Sequence, residues 1–287
     1  MTGDLHEKVD AVLIAFLDER LRDAERLDPA ARAPAQEIAR LLAAGGKRIR
    51  PAFCYWGYRA AGGVDDGAPD EPIVRAAAAL ELLHTMAIVH DDLIDGAKER
   101  RAVPSTAPWF EEQADDLEAK GDPGAFGEAM AVLVGDLAAV FADRLFLGSG
   151  FPPDTLSGAL AVFHQMREEM AIGQFLDLAR PGGVADLDPG RRAAMKGGAY
   201  SVEGPLRIGA ALAHGSAAVG ECLTRFGRPL GEAFQLRDDL EDGDAAAGVT
   251  VETVNGRVAV ALAALDPALI DPAALPALRR LANEVAM

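Results

Sequence analysis

Hydrophobic residues recur at the spacing of an α-helix almost from the first residues of this chain. Leu5, Val9, Val12, Leu13, Phe16, Leu17 and Leu21 share one face when residues 4–27 are wound as a helix, because positions three and four apart stack above one another. A second helical stretch over about 34–44 stops at Gly45 and Gly46, since glycine readily takes the left-handed geometry of a helix C-terminus. Pro51 suits the start of the next helix. After a Gly/Pro/Asp loop over 61–72, the run RAAAALELLHTMAIVHDDLID reads as one long helix. Residues 102–127 hold Pro104, Pro108, Pro123 and several glycines between polar residues; they are expected to form a long loop, the kind of segment that often serves as a lid or binding element. Helices over 126–147 and 154–178 follow, then a loop over 180–190. Period-2 alternation of β-branched residues is scarce throughout, so the expected fold class is all-α, a helical bundle forming a single domain over 1–287.

Composition sharpens this picture in three ways. Half of the 287 residues are hydrophobic and alanine runs are frequent, which favours helix. A net charge of -17 argues against a nucleic-acid partner and against anionic membrane surfaces. Cys54 and Cys222 lack a CxxC spacing and read as small core residues rather than zinc ligands or a disulfide. The start MTGDLHEKVD has neither a basic head nor an apolar core, and no apolar run is expected to reach the ~20 residues of a membrane span. A soluble, cytoplasmic protein with no stable membrane anchor is the expectation.

Candidate chemistry begins in HTMAIVHDDLIDGAKERR, residues 84–101. On a helix Asp91 and Asp95 are one turn apart on one face, with Asp92 roughly 100° round from Asp91. Two carboxylates so placed can hold Mg²⁺, which takes oxygen ligands, keeps several waters and commonly completes its shell with phosphate oxygens. Arg100 and Arg101 follow as candidate partners for such phosphates. A single acidic run is most often a solvated helix face. FQLRDDLED at 234–242 repeats the pattern with Asp238, Asp239 and Asp242, again after an apolar approach, and two such runs suggest two walls of one metal-containing cavity. Lys47, Arg48 and Arg50 crowd the turn after Gly46, more cations than a helix C-terminus requires. His84 and His90, six apart, do not read as metal ligands, and Met166 and Met170 read as core filler.

With GGKRIRP at 45–51, HDDLID and RRAVPS within 90–105, VLVGD at 132–136, GQFLDL at 173–178, KGGAYSVEGPLRIGA at 196–210 and FGRPLGEAFQLRDD at 226–239, the chain resembles the trans-isoprenyl diphosphate synthases, the polyprenyl synthetase family, and among them geranylgeranyl diphosphate synthases. The resemblance covers roughly residues 40–242. It implies an isoprenoid-synthase-like bundle around a deep central cavity and a Mg²⁺-dependent head-to-tail condensation of isopentenyl diphosphate with an allylic diphosphate. Asp91, Asp95, Asp238, Asp239 and Asp242 are then the metal ligands for three ions, with Asp92, Arg100, Lys196 and Gln235 joining the catalytic set. Lys47, Arg50, His84 and Arg101 would hold isopentenyl diphosphate; Arg100, Lys196, Tyr200 and Gln235 would contact the allylic substrate. Arg48 is left outside both sets. Relatives of this kind pair as homodimers, and those that stop at fifteen carbons usually place an aromatic ring four or five residues before the first aspartate. Here those positions are Ala87 and Met86, which implies a longer product, geranylgeranyl diphosphate.

The sequence departs from the family in two places. Gly197 stands where a threonine or serine usually follows the lysine, and no lysine occurs after Lys196, so the part beyond about residue 242 is shortened or incomplete. A class I terpene cyclase of the same fold, or a non-catalytic regulatory subunit of a heteromeric synthase, are the competing functions. The first leaves GGKRIRP without a second diphosphate, and the second sits poorly with two retained acidic runs.

Overall fold

A computed structural model describes residues 2–64, 67, 68, 71–100, 103–179, 194–243 and 248–286. They divide into two compact units, Met1–Arg48 with Pro69–Gly150, and Ile49–Ala68 with Phe151–Met287. Among the described residues every element is helical except one two-stranded ribbon, as the scarcity of strand patterning implies.

Of the first unit's two long apolar helices, the more deeply buried one is its centre. Helix α1, Thr2–Leu27, buries Leu5, Val9, Val12, Leu13, Phe16 and Leu17, the expected stripe with Leu21 left at its margin. Helix α2 is Arg32–Ala43, and Gly45 beyond it takes a positive φ of 87°. Helix α4, Pro72–Asp95, opens on a proline at N1 and closes on Gly96 at φ 65°. Val74, Ala76, Ala77, Ala78, Ala79 and Leu82 along it are fully buried, because small side chains let α1, α2 and the helix that follows at Pro123–Leu147 press on it from several sides. Helix α6, Pro123–Leu147, starts on an Asp122 cap that accepts from Ala125 N at 2.9 Å. Gly135 lets α6 meet α4: a Cβ there would stand 2.1 Å from His90 Nε2.

The segment 102–127 is not the structureless loop its prolines suggest. Strands β1, Glu99–Arg100, and β2, Val103–Pro104, form an antiparallel ribbon, and helix α5, Thr106–Glu112, follows. Phe110 of α5 is fully buried, edge-on to Trp109 at 4.6 Å and to Phe126 at 6.2 Å. That burial outweighs the weak helix signal of TAPWFEE, which sequence periodicity cannot register over seven residues.

The second unit contains α3, Ile49–Ala60; α7, Pro153–Leu178; a π-helix, Ala194–Glu203; α8, Gly204–Leu212; α9, Ala217–Asp242; α10, Val251–Ala264; and α11, Leu275–Val285. Backbones approach closely at glycine: α8 reaches α3 through Gly209, and α9 reaches the π-helix where Gly231 faces Gly198. The C-terminal part forms two packed helices. α10 carries a Thr250/Thr253 capping box, and α11 buries Ala277, Leu278, Leu281, Ala282 and Val285. Cys54 and Cys222 are buried and unbridged as expected, and burial pushes the Cys54 thiol far up. The loop expected over 180–190 lies outside the described residues.

One expectation needs correction. By length and composition both α4 and α6 are apolar enough to cross a membrane. Alanine-rich core helices pass that test without meeting lipid, and the apolar window of α4 is 67% buried in the protein. That of α6 is only 39% buried. Leu133, Val140 and Leu147, seven residues apart along one face, are 56%, 57% and 51% exposed.

Candidate active site

Both acidic runs occupy the last turn of a long helix, where the exposed carbonyls already make the site negative. A carboxylate cluster in that position requires cations, and each unit supplies its own.

In the first unit the Gly96 turn and the β-ribbon bring Arg100 back over the end of α4. Ser105 holds the ribbon from N–H to the Lys98 carbonyl at 3.0 Å and by its hydroxyl to the Ala97 carbonyl. Arg40 donates to the Pro104 carbonyl at 2.8 Å while paired with the buried Glu37, which also accepts from Thr106. Arg100 Nε donates to Asp92 Oδ1 at 2.7 Å, Nη2 reaches the same oxygen at 2.6 Å, and Nη2 lies 3.7 Å from Asp91. The Asp92 side chain is 4% exposed and that of Arg100 38%. Burial raises the Asp92 pKa; the hydrogen bond and charge of Arg100 pull it down, and Asp91 and Asp95 push it up again. Asp92 thus faces inward and anchors the arginine, whereas Asp91 is half-buried and Asp95 exposed, both better placed to meet a ligand.

Beside Arg100 lies a small cavity of about 20 Å³ lined by Leu42, Arg48, Glu81, His84, Thr85 and Ile88 among others, room for about one water molecule. His84 therefore shares a wall with Arg100. Arg48 is buried in a left-handed backbone position, φ 49°, donating to Asp10 at 2.8 Å, Glu81 at 3.0 Å and the Leu42 carbonyl at 3.0 Å. It fastens the turn after α2 to α1 and α4. Lys47 beside it is exposed. Met86 and Ala87 are half-buried on α4 and do not line this cavity. Arg101 lies outside the described residues, as does the side chain of Lys196.

In the second unit Arg50 and Tyr200 meet. Arg50 Nη2 donates to Tyr200 Oη and Ser201 Oγ, each at 2.8 Å, and the guanidinium stacks 4.4 Å from the Tyr200 ring centre. Ser201 stands within KGGAYSVEGPLRIGA, where the motif alone assigns it no role. At the end of α9 Arg237 is buried, donates to the Glu284 carbonyl at 2.8 Å and lies 3.5 Å from both Asp238 and Glu241. It closes the C-terminus of α11, and it stands within FGRPLGEAFQLRDD, where the motif alone assigns it no role. Burial raises the Asp238 pKa; Arg237 counters this by charge and hydrogen bond, Glu241 adds to it, and Arg50 is close enough to oppose it. Gln235 donates to Asp239 Oδ1 at 2.8 Å. Asp242 is exposed ahead of Gly243, φ 81°.

Among the described residues no three His, Cys, Asp or Glu side chains converge as a ready-made metal cage. The donor chemistry nevertheless fits Mg²⁺, which binds through one or two carboxylates and fills its octahedron with water and phosphate oxygens. Asp91 with Asp95, and Asp238 with Asp242, are such i, i+4 pairs.

Residues 33–250 match the polyprenyl synthetase family. The chain is 31% identical over 208 residues to a chloroplastic geranylgeranyl pyrophosphate synthase of Capsicum annuum, covering 70% of this chain and 51% of that protein. It is 32% identical over 197 residues to a (2E,6E)-farnesyl diphosphate synthase of Mycobacterium tuberculosis, covering 68% and 48%. The chain spans about half the length of these curated relatives. Among solved structures, a geranylgeranyl pyrophosphate synthase from Corynebacterium glutamicum complexed with isoprenyl diphosphate and magnesium superposes with a TM-score of 0.89 at 25% identity, over 99% of both chains.

Proposed function

Because the chain belongs to the polyprenyl synthetase family, we propose that it joins isopentenyl diphosphate head-to-tail to an allylic diphosphate. The observation that carries this reading is the twofold arrangement of a carboxylate run at a helix end with an arginine lodged against it, Arg100 on Asp92 and Arg237 beside Asp238. Such a site receives a polyanion only when a divalent cation comes with it. Magnesium, three ions in our reading, would be held by Asp91, Asp95, Asp238, Asp239 and Asp242 and would neutralise charge on the departing diphosphate.

The chain's own residues account for the remaining roles. Asp92 fixes the guanidinium of Arg100, so that its charge is already in place when the allylic C–O bond breaks and electrons pass to the diphosphate; fixed charges of this kind need no reorganisation during the reaction. Lys196 adds to that charge. In the first unit Lys47, His84 and Arg101 are the residues we assign to isopentenyl diphosphate, and in the second Arg50, pinned by Tyr200 and Ser201, is assigned the same role; the double bond of that substrate attacks the allylic carbon, and the proton then lost passes to the released diphosphate. Apolar helix above each acidic run keeps water from the electron-poor carbon. Ala87 and Met86 leave room for a chain longer than fifteen carbons, and geranylgeranyl diphosphate is the product we assign. The working form we assign is a homodimer with α6 at its interface.

The test is incubation of the full chain with labelled isopentenyl diphosphate, Mg²⁺ and allylic diphosphates of increasing length, followed by identification of the extracted products. Labelled linear prenyl diphosphates support the reading, and their loss in Asp91→Ala with helical content unchanged by circular dichroism supports the assignment of that run. Cyclic hydrocarbons formed from the allylic substrate alone would replace it with a terpene cyclase.

A further inference from the structure

Gly197 and Gln235 form an arrangement that the general chemistry of the site does not require. Gly197 is buried in the π-helix, and a Cβ built on it would fall 1.7 Å from Gln235 Oε1 and 2.8 Å from Gln235 Cδ. The carboxamide of Gln235 therefore occupies the space that any side chain at position 197 would need. Neither backbone can withdraw to make room. One residue on, a Cβ at Gly198 would meet the Gly231 carbonyl carbon at 2.7 Å, and one at Gly231 would meet the Gly198 oxygen at 2.5 Å. With the helices locked together there, an added methyl at 197 must be accommodated by moving Gln235.

The other end of the same carboxamide is engaged. Gln235 Nε2 donates to Asp239 Oδ1 at 2.8 Å, one turn along α9, and both side chains are half-buried. We propose that Gly197 is the seat that holds Gln235 against Asp239, making Gln235 a positioning residue that fixes the orientation of a metal-ligating carboxylate. The inference rests on the proposed role of Asp239 as a ligand. Its physical basis is that a carboxylate turns about its terminal bond. A donor fixed on one oxygen sets which lone pairs face a cation, and the loss of such outer partners commonly weakens metal affinity about 10–100-fold.

The experiment measures binding rather than turnover: titration calorimetry of the full chain with Mg²⁺ and inorganic pyrophosphate. Gln235→Ala and Gly197→Ala are each expected to weaken Mg²⁺-dependent pyrophosphate binding about 10-fold. Because the glycine acts through the glutamine, the double variant should bind no more weakly than Gln235→Ala alone. Thermal unfolding and circular dichroism of the three variants accompany the titration. Unchanged affinity in Gln235→Ala, or losses that add in the double variant, would overturn the inference while leaving the prenyl-transfer reading intact. Gln235→Ala retains Gly197, so unchanged affinity in that variant overturns the inference even if Gly197→Ala fails to fold. Absence of Mg²⁺-dependent binding in the unaltered protein would overturn both.

Discussion

At the scale of single residues, the three aspartates of each run have different tasks. Asp92 is buried against Arg100 and serves the arginine, whereas Asp91 and Asp95 are accessible to a ligand. Asp238 gives a pH test of this division. Burial is the leading cause of its raised pKa, so the folded protein holds the proton more tightly than the unfolded chain. The resulting penalty on stability is absent below the ordinary carboxyl range and grows as pH rises through the raised folded value. Asp238→Asn should therefore flatten the metal-free fall in stability over that window, leaving the part due to Asp92. At neutral pH in a chelator it should unfold at a temperature no lower than the parent, yet lose Mg²⁺-dependent pyrophosphate binding. Thermal scans across pH, with calorimetry at one pH, measure both halves. A variant that is less stable at neutral pH but still binds would contradict the assignment. The same residue-scale logic separates neighbours in the cationic turn: Arg48 is occupied structurally, while Lys47 is exposed.

At the scale of elements, helices are held close by missing side chains more than by large ones. Gly209 on α8 faces α3 so tightly that a Cβ would lie 2.0 Å from the Cys54 carbonyl oxygen and 2.6 Å from the Tyr58 nitrogen. Those atoms belong to a helical backbone and cannot rotate away. Gly209→Ala should thus cost about 1–3 kcal/mol through overpacking, even though alanine is intrinsically the better helix former by about 1 kcal/mol. Chemical denaturation measures the balance, and a net stabilisation would mean that α3 and α8 separate without penalty. The β-ribbon and α5 belong to this scale too. Seven residues around one proline have no legible helical period, and Phe110 acquires its meaning only from Trp109 and Phe126 beside it.

At the scale of the molecule, α6 leaves an apolar face uncovered along Leu133, Val140 and Leu147. Heptad-spaced apolar residues suit a second helix laid alongside, and a second copy of this chain is the occupant we assign. Leu133→Glu should convert a sedimenting dimer to monomer at micromolar concentration while leaving helical content unchanged. An unaltered dimer would move the interface elsewhere. Product length is also a property of the whole cavity. Ala87→Phe should shorten the principal product if the growing chain passes that turn of α4, and an unchanged product would place the floor at another helix.

The sequence by itself determined the long helices as far as α7, since apolar residues three and four apart dictate which face is buried, as in α1. It also determined the family and both acidic runs, because those signals lie within a few consecutive residues. The glycine turn after α2 was equally legible: Gly45 has the positive φ its position implies. What only the tertiary structure decided depends on residues distant in the chain. Arg50 meets Tyr200 and Ser201 across 150 positions, Arg237 meets the end of α11, and Gly197, read from sequence as a lost hydroxyl, is the space filled by Gln235. A sequence motif specifies which groups are present. Which group turns toward which is settled by packing, where a missing Cβ or a buried guanidinium fixes one rotamer among several that the local chain would permit.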